Sequence, residues 1–175
     1  MNAKQLNRAI ITISLFGVLV STYALYVELL AELRPGYKAL CDIGEHASCS
    51  KVLTSKYAKG LGLVPEDSPF KVPNCVYGII FYCIIIFLTT FDQVNVVRLQ
   101  LGISAASLLT CVYLAYLLIF MLKDFCLVCV TTYVLNIANE MGLRAILNPL
   151  VFPLSYQFGV ISDCSDIQKR RLLSL

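Results

Sequence analysis

The stretch FCLVC, residues 125–129, places Cys126 and Cys129 three residues apart within an apolar run where a lipid-facing helix would carry leucine. A second pair, Cys41 and Cys49, lies eight apart in the polar segment CDIGEHASCS, where Gly44 permits a turn. Closing so short a loop as CxxC adds little stability, and such dithiols are typically redox-poised, so thiol–disulfide exchange is the chemistry on offer. On a helix, residues i, i+3 and i+7 share a stripe, which aligns Cys126, Cys129 and Tyr133. Cys126 at the helix start feels the positive end of the dipole, which favours the thiolate, while Cys129 lies about 4.5 Å deeper. The spacing suggests a division of labour: Cys126 exchanges with a loop cysteine at the water boundary, and Cys129 meets a substrate dissolved in lipid.

Two further residues suit such a substrate. Asn74, in VPNCVYG, is by default a helix cap or a surface amide, and alternatively a donor to a substrate carbonyl. Tyr133 is by default packing or an interface anchor, and alternatively a phenolic donor to a second carbonyl. An apolar molecule with two opposed carbonyls is a quinone, and donors at both would stabilise oxyanion character during two-electron reduction. The single histidine, His46, falls in the loop and is expected to be solvated, so general-acid work passes to Tyr133 or a thiol. Cys75, Cys83 and Cys111 are expected to be packing residues, and Cys164 lies in the tail. A four-cysteine zinc site fits only half of the set, because Cys41 and Cys49 are too far apart for a zinc knuckle. No metal, flavin or nicotinamide is required, and no glycine-rich nucleotide motif is visible.

The elements that must position these groups are membrane helices. Of 175 residues, 58% are hydrophobic and 14% charged, with mean hydropathy +0.77, a membrane composition. The net charge of +3 comes from scattered Lys and Arg, which argues against nucleic acid as a partner. Helices long enough to approach a bilayer crossing are expected at about 10–30, 76–91 (ended by Asp92), 99–122 and 125–143. They form a single all-α membrane domain with a long loop, 31–75, between the first two and an unassigned tail, 144–175. Lys4 and Arg8 would also suit a cleaved signal, but the long apolar run without a small-x-small site favours a retained helix. Lys and Arg divide seven to seven between the two sides; those flanking the first helix place both termini in the cytosol. A chain crossing three times after the first loop begins its fourth helix on the loop's side, so FCLVC faces both loop cysteines.

ALCDIGEHASCS (39–50), GLGLV (60–64), NCVYGIIFY (74–82), VYLAYLL (112–118) and DFCLVCVTTYVLN (124–136) together resemble the vitamin K epoxide reductase family, in the family's order. The resemblance implies a four-helix bundle in the endoplasmic reticulum membrane, its loop and active site lumenal. It implies reduction of vitamin K 2,3-epoxide to quinone and of quinone to hydroquinone, with no tightly bound cofactor. By the same resemblance, Cys126 and Cys129 are the active-site dithiol, with Cys129 attacking substrate. Cys41 and Cys49 are the relay that takes electrons from thioredoxin-like lumenal proteins, with Cys49 exchanging with Cys126. Asn74 and Tyr133 match the substrate hydrogen-bonders, and Leu53 a pocket position. The chain departs from the pattern in a shorter segment between Leu63 and Asn74, in Leu53 for phenylalanine and in Tyr57 for tryptophan, changes that would alter pocket shape and coumarin sensitivity. Two other functions fit the same residues: a quinone-dependent oxidase that generates disulfides in partner proteins, and a non-enzymatic scaffold with structural disulfides.

Overall fold

A computed structural model of the chain describes residues 3–34, 36–44, 47–65, 68–91 and 93–147; His46, Asp92 and Cys164 lie outside these. The described chain is all-helical. Helix α1 runs Ala3–Leu33, α2 Cys49–Leu53, α3 Asn74–Thr89, α4 Val94–Tyr116 and α5 Leu127–Leu147; a 3-10 turn occupies Gly60–Gly62, and Leu117–Leu122 continues α4 as a π-helix. Helix α1 is the centre of the bundle, packing most extensively on α3 and α5, while α4 lies mainly against α5.

Polarity runs inside out. Leu15, Phe16, Leu19, Phe87, Leu109, Val112, Ile119 and Phe120 are exposed, whereas Ser14, Ser21, Glu28, Gln100, Ser104, Asn136, Asn139 and Glu140 are buried. A chain surrounded by hydrocarbon gains nothing by hiding leucine, and must turn its polar side chains toward one another. Gln100 shows the consequence, donating to the Ile85 carbonyl at 3.0 Å and to Thr89 Oγ1 at 2.8 Å. Helical segments Lys4–Leu33 and Val94–Leu122 are long and apolar enough to cross a membrane. The apolar α3 has 16 residues, about 24 Å at 1.5 Å per residue.

Several expected boundaries move. The first helix begins at Ala3 rather than Ile10, because Leu6 and Ile10 are buried in one cluster with Ile85, Leu143 and Ile146. The same cluster carries α5 on to Leu147, so residues 144–147 of the expected tail are helical; Arg144 Nε also pairs with Glu140 Oε1 one turn back, at 2.9 Å. The second helix is shifted to 74–89 from 76–91, and the last begins at Leu127 rather than Phe125. Cys83 is exposed on the outer face of α3, not buried as expected.

Close helix approach requires small residues here. A Cβ on Gly17 of α1 would fall 2.4 Å from Tyr82 Cζ, and Tyr82 is only 1% exposed, so its ring has nowhere to retreat. Gly17→Leu is therefore expected to pry α1 from α3 and cost about 1–3 kcal/mol. Gly102→Ala, placed where a Cβ meets nothing within 4 Å, should be neutral or slightly stabilising. Denaturant unfolding in detergent compares the two; equal stabilities would contradict this packing.

Candidate functional site

The loop after α1 is folded into a compact turn by a single carboxylate. Asp42 accepts from Ala39 N–H at 2.9 Å, Ser50 N–H at 3.0 Å, Ser48 Oγ at 3.0 Å and Ser50 Oγ. Desolvation pushes its carboxyl upward, but these donors outweigh that and hold it below the usual carboxylate range. Ser48 also caps α2, accepting the Lys51 N–H. Cys41 and Cys49 are joined as a disulfide, their Cα atoms 5.8 Å apart. Their sulfurs thus bond each other, and the neighbouring Asp42 oxygens are already engaged, which is not a metal-ligand arrangement.

The loop then meets the last helix. Ala47 forms a parallel bridge with Phe125, so the chain leading into Cys49 runs beside the chain leading into Cys126. Cys41, Cys49, Leu53, Cys126 and Val128 share one buried cluster with Ala24, Val27 and Leu118. The expectation that FCLVC faces the loop is met geometrically. Cys126 stands just before α5 as its cap: its carbonyl accepts from Val130 N–H at 3.1 Å and its Sγ from Cys129 N–H at 3.4 Å. Its sulfur thus lies at the positive end of the α5 dipole. Cys129 Sγ donates to Cys126 Sγ at 2.8 Å, so the two are an adjacent, unjoined dithiol.

The two thiols face different surroundings. Cys126 is sealed at 0% exposure, whereas Cys129 lines a cavity of about 400 Å³ together with Leu53, Asn74 and Tyr133. That volume falls in the range of small-molecule sites. The wall is largely apolar, built from α1, α3, α4, α5 and the loop, with Val52, Phe81, Ile103 and Leu114 among its members. The Tyr133 hydroxyl has no hydrogen-bond partner among the described residues, and Tyr133 and Cys129 open onto the same space. The sequence reading of Cys111 as mere packing is incomplete: its sulfur accepts from Asn136 Nδ2 at 3.0 Å on the cavity wall.

Asn74 is the first residue of α3 rather than its cap, and its amide is already committed. Oδ1 accepts from Leu61 N–H at 2.8 Å, Nδ2 donates to the Tyr57 carbonyl at 2.8 Å, and its own N–H donates to Ala58 O at 2.7 Å. The clamped segment is GLG, with φ positive at Gly60, Leu61 and Gly62. A Cβ at Gly62 would meet Tyr57 Cδ1 at 2.6 Å, so glycine serves both the left-handed backbone and the close approach. One Nδ2 hydrogen remains for a ligand, since a primary amide carries two. The pair that sequence reading missed is Glu28 and Cys75, with Cys75 Sγ donating to Glu28 Oε2 at 3.4 Å on the same wall. The available signal was one acid in an otherwise uncharged stretch from Ile10 to Leu30.

The sequence profile of the vitamin K epoxide reductase family matches residues 8–140. The chain is 37% identical over 131 residues to vitamin K epoxide reductase complex subunit 1 of Mus musculus, covering 73% of this chain and 81% of that protein. It is 37% identical over 134 residues to the subunit of the same name from Rattus norvegicus, covering 74% and 83%. The matched span contains both cysteine pairs, Leu53, Asn74, Tyr133 and the wall of the cavity.

Two outcomes follow for the loop. Because the folded-state pKa of Asp42 is lowered, its stabilisation is complete above the unfolded value near 3.9 and lost as pH falls through the folded value. Hydrogen-exchange protection at residues 39–50, taken relative to the intrinsic rate at each pH, should fall on acidification below about pH 4, and Asp42→Asn should remove that dependence. Given partial exposure, its cost at neutral pH should be about 1 kcal/mol; identical acid profiles would refute the tether. Asn74→Ala should speed amide exchange at Leu61 by releasing two bonds, each worth about 1 kcal/mol; an unchanged rate would refute the clamp.

Proposed function

The chain belongs to the vitamin K epoxide reductase family, membrane thiol oxidoreductases that use a quinone substrate, and we propose that it reduces vitamin K 2,3-epoxide to the quinone and the quinone to the hydroquinone. The observation that carries this reading is the contrast between the two sulfurs of one dithiol. Cys129 opens on an apolar cavity sized for a ring, while Cys126, 2.8 Å behind it, packs beside the loop disulfide.

In this account Cys129 attacks a ring carbon and forms a carbon–sulfur bond. Cys126 then attacks the Cys129 sulfur, forming their disulfide and returning the electron pair to the ring. With the epoxide, the opened oxygen takes two protons in all and departs as water; with the quinone, the two ring oxygens take them. Tyr133 and the spare hydrogen of Asn74 donate to those oxygens as negative charge develops, where an apolar wall makes each donor count most. Leu53 and Tyr57 shape the wall in place of the bulkier residues of the family pattern, leaving more room above the ring.

Regeneration runs through the loop. A thioredoxin-like partner reduces Cys41–Cys49, and Cys49 then exchanges with Cys126, so electrons move inward by sulfur-to-sulfur transfer without a bound cofactor. The bridge between Ala47 and Phe125 supports this order by holding the two segments side by side. We further infer that α1, α3, α4 with its π-helical extension, and α5 all cross the bilayer of the endoplasmic reticulum, with the cysteine end in the lumen. The buried Asn136, Asn139 and Glu140 fit a spanning α5 because they turn inward.

Purified protein with dithiothreitol and vitamin K epoxide should yield quinone; no product would refute the reductase reading. Cys129→Ala should lower turnover roughly 10³-fold or more while leaving the fold intact, which a non-enzymatic scaffold would not register. Cys41→Ala should block reduction driven by a protein partner far more than reduction driven by a small permeant thiol; equal losses would refute the relay.

A further inference from the structure

The reduction proposed above needs two protons delivered to two ring oxygens inside a largely apolar cavity, and no histidine, lysine or arginine lines that cavity among the described residues. One carboxyl does. Glu28 of α1 is 1% exposed; its Oε2 accepts from Cys75 Sγ at 3.4 Å, and its buried Oε1 has no hydrogen-bond partner among the described residues. Lys59, the cation that acts on it from the loop, is bonded instead to Glu32, one turn further along α1, at 2.6 Å. The other titratable groups on the cavity wall are the thiols of Cys75, Cys111 and Cys129 and the phenols of Tyr57, Tyr77, Tyr82 and Tyr133. A carboxylate at this point would have one thiol donor and a cation already paired with Glu32, less than a buried charge requires. A neutral acid fits: Cys75 supplies a donor to one oxygen, and the other holds a hydrogen to give.

We propose that Glu28, oriented by Cys75, is the general acid that carries hydrogen from the dithiol to the ring oxygens; this rests on the quinone-reductase reading. As the Cys129 sulfur bonds to the ring, the carbonyl electron pair moves onto oxygen, which takes the Glu28 proton. The Cys129 thiol proton refills the carboxylate. Cys126 then attacks Cys129, the sulfur–sulfur bond forms and the carbon–sulfur bond breaks, and its electron pair passes through the ring to the second oxygen. Glu28 donates there in turn, and the proton that Cys126 releases as the disulfide forms restores the acid. The ring has gained two electrons and two protons, the dithiol has become a disulfide, and the acid is unchanged.

Glu28→Gln keeps an oxygen for Cys75 but has no proton to pass; Glu28→Asp keeps the acid. Full-length protein in lipid nanodiscs, driven by dithiothreitol with vitamin K quinone, gives kcat, KM and the solvent deuterium isotope effect for each. Glu28→Gln is expected to lower kcat about 10²-fold with little change in KM and an enlarged isotope effect, and Glu28→Asp to recover much of the rate. Wild-type turnover matched by Glu28→Gln would overturn this inference alone, as would equal losses in Gln and Asp with an unaltered isotope effect. An inactive wild type would overturn the reductase reading, and this inference with it.

Discussion

Cys49 and Cys126 are both at 0% exposure, and that constraint organises the rest of the molecule. A sulfur sealed from water cannot exchange with a reagent that diffuses past it; it can exchange only with a sulfur delivered into the same dry space. The delivery is structural. Asp42 gathers Ala39, Ser48 and Ser50 into a compact turn, Ser48 starts α2 at Cys49, and the bridge of Ala47 with Phe125 lays that turn against the threshold of α5. In the proposed relay, loop tethering is part of the redox chemistry, since a loop that peeled away would separate the two couples.

The surrounding bundle solves a second problem, which is how to keep polar groups available where lipid is the solvent. Small residues such as Gly17 and Gly78 let α1 approach α3, and polar side chains turn inward along α1, α4 and α5. The cavity forms where this inward polarity is sparse but not absent. Cys129, Tyr133, Asn74 and Glu28 reach it from three different helices, so the polar lining of the cavity depends on helix packing as much as on any one residue. Asn74 serves two ends at once: it fixes the loop roof at Tyr57 and Leu61 and lines the cavity with one amide hydrogen to spare.

Much of this was legible in the residues. Apolar run lengths located α1, α3, α4 and α5, two of them long enough to cross a membrane, and counting crossings put FCLVC beside the loop that holds Cys41 and Cys49. The ends were not legible. Lys4, Gln5, Asn7 and Arg8 read as a polar flank, yet α1 starts before them because Leu6 packs with Leu143 and Ile146, far along the chain. The side facing lipid was equally hidden on a helix apolar all round, and so Cys83 proved exposed. Asn74 was recognisable as a donor, but its partners lie 17 and 13 residues upstream, the nearer on a left-handed turn that no periodicity announces. Glu28 was visible as an isolated acid; its pairing with Cys75 needed the contact between α1 and α3.

The central claim is a direct transfer between the buried sulfurs of Cys49 and Cys126. Removing their usual partners with Cys41→Ser and Cys129→Ser leaves these two thiols to react with each other. Mass-spectrometric mapping of the mildly oxidised double variant in membranes should find Cys49 joined to Cys126 as the main new disulfide. Recovery of both as free thiols, or of either joined chiefly to Cys75, would contradict the account.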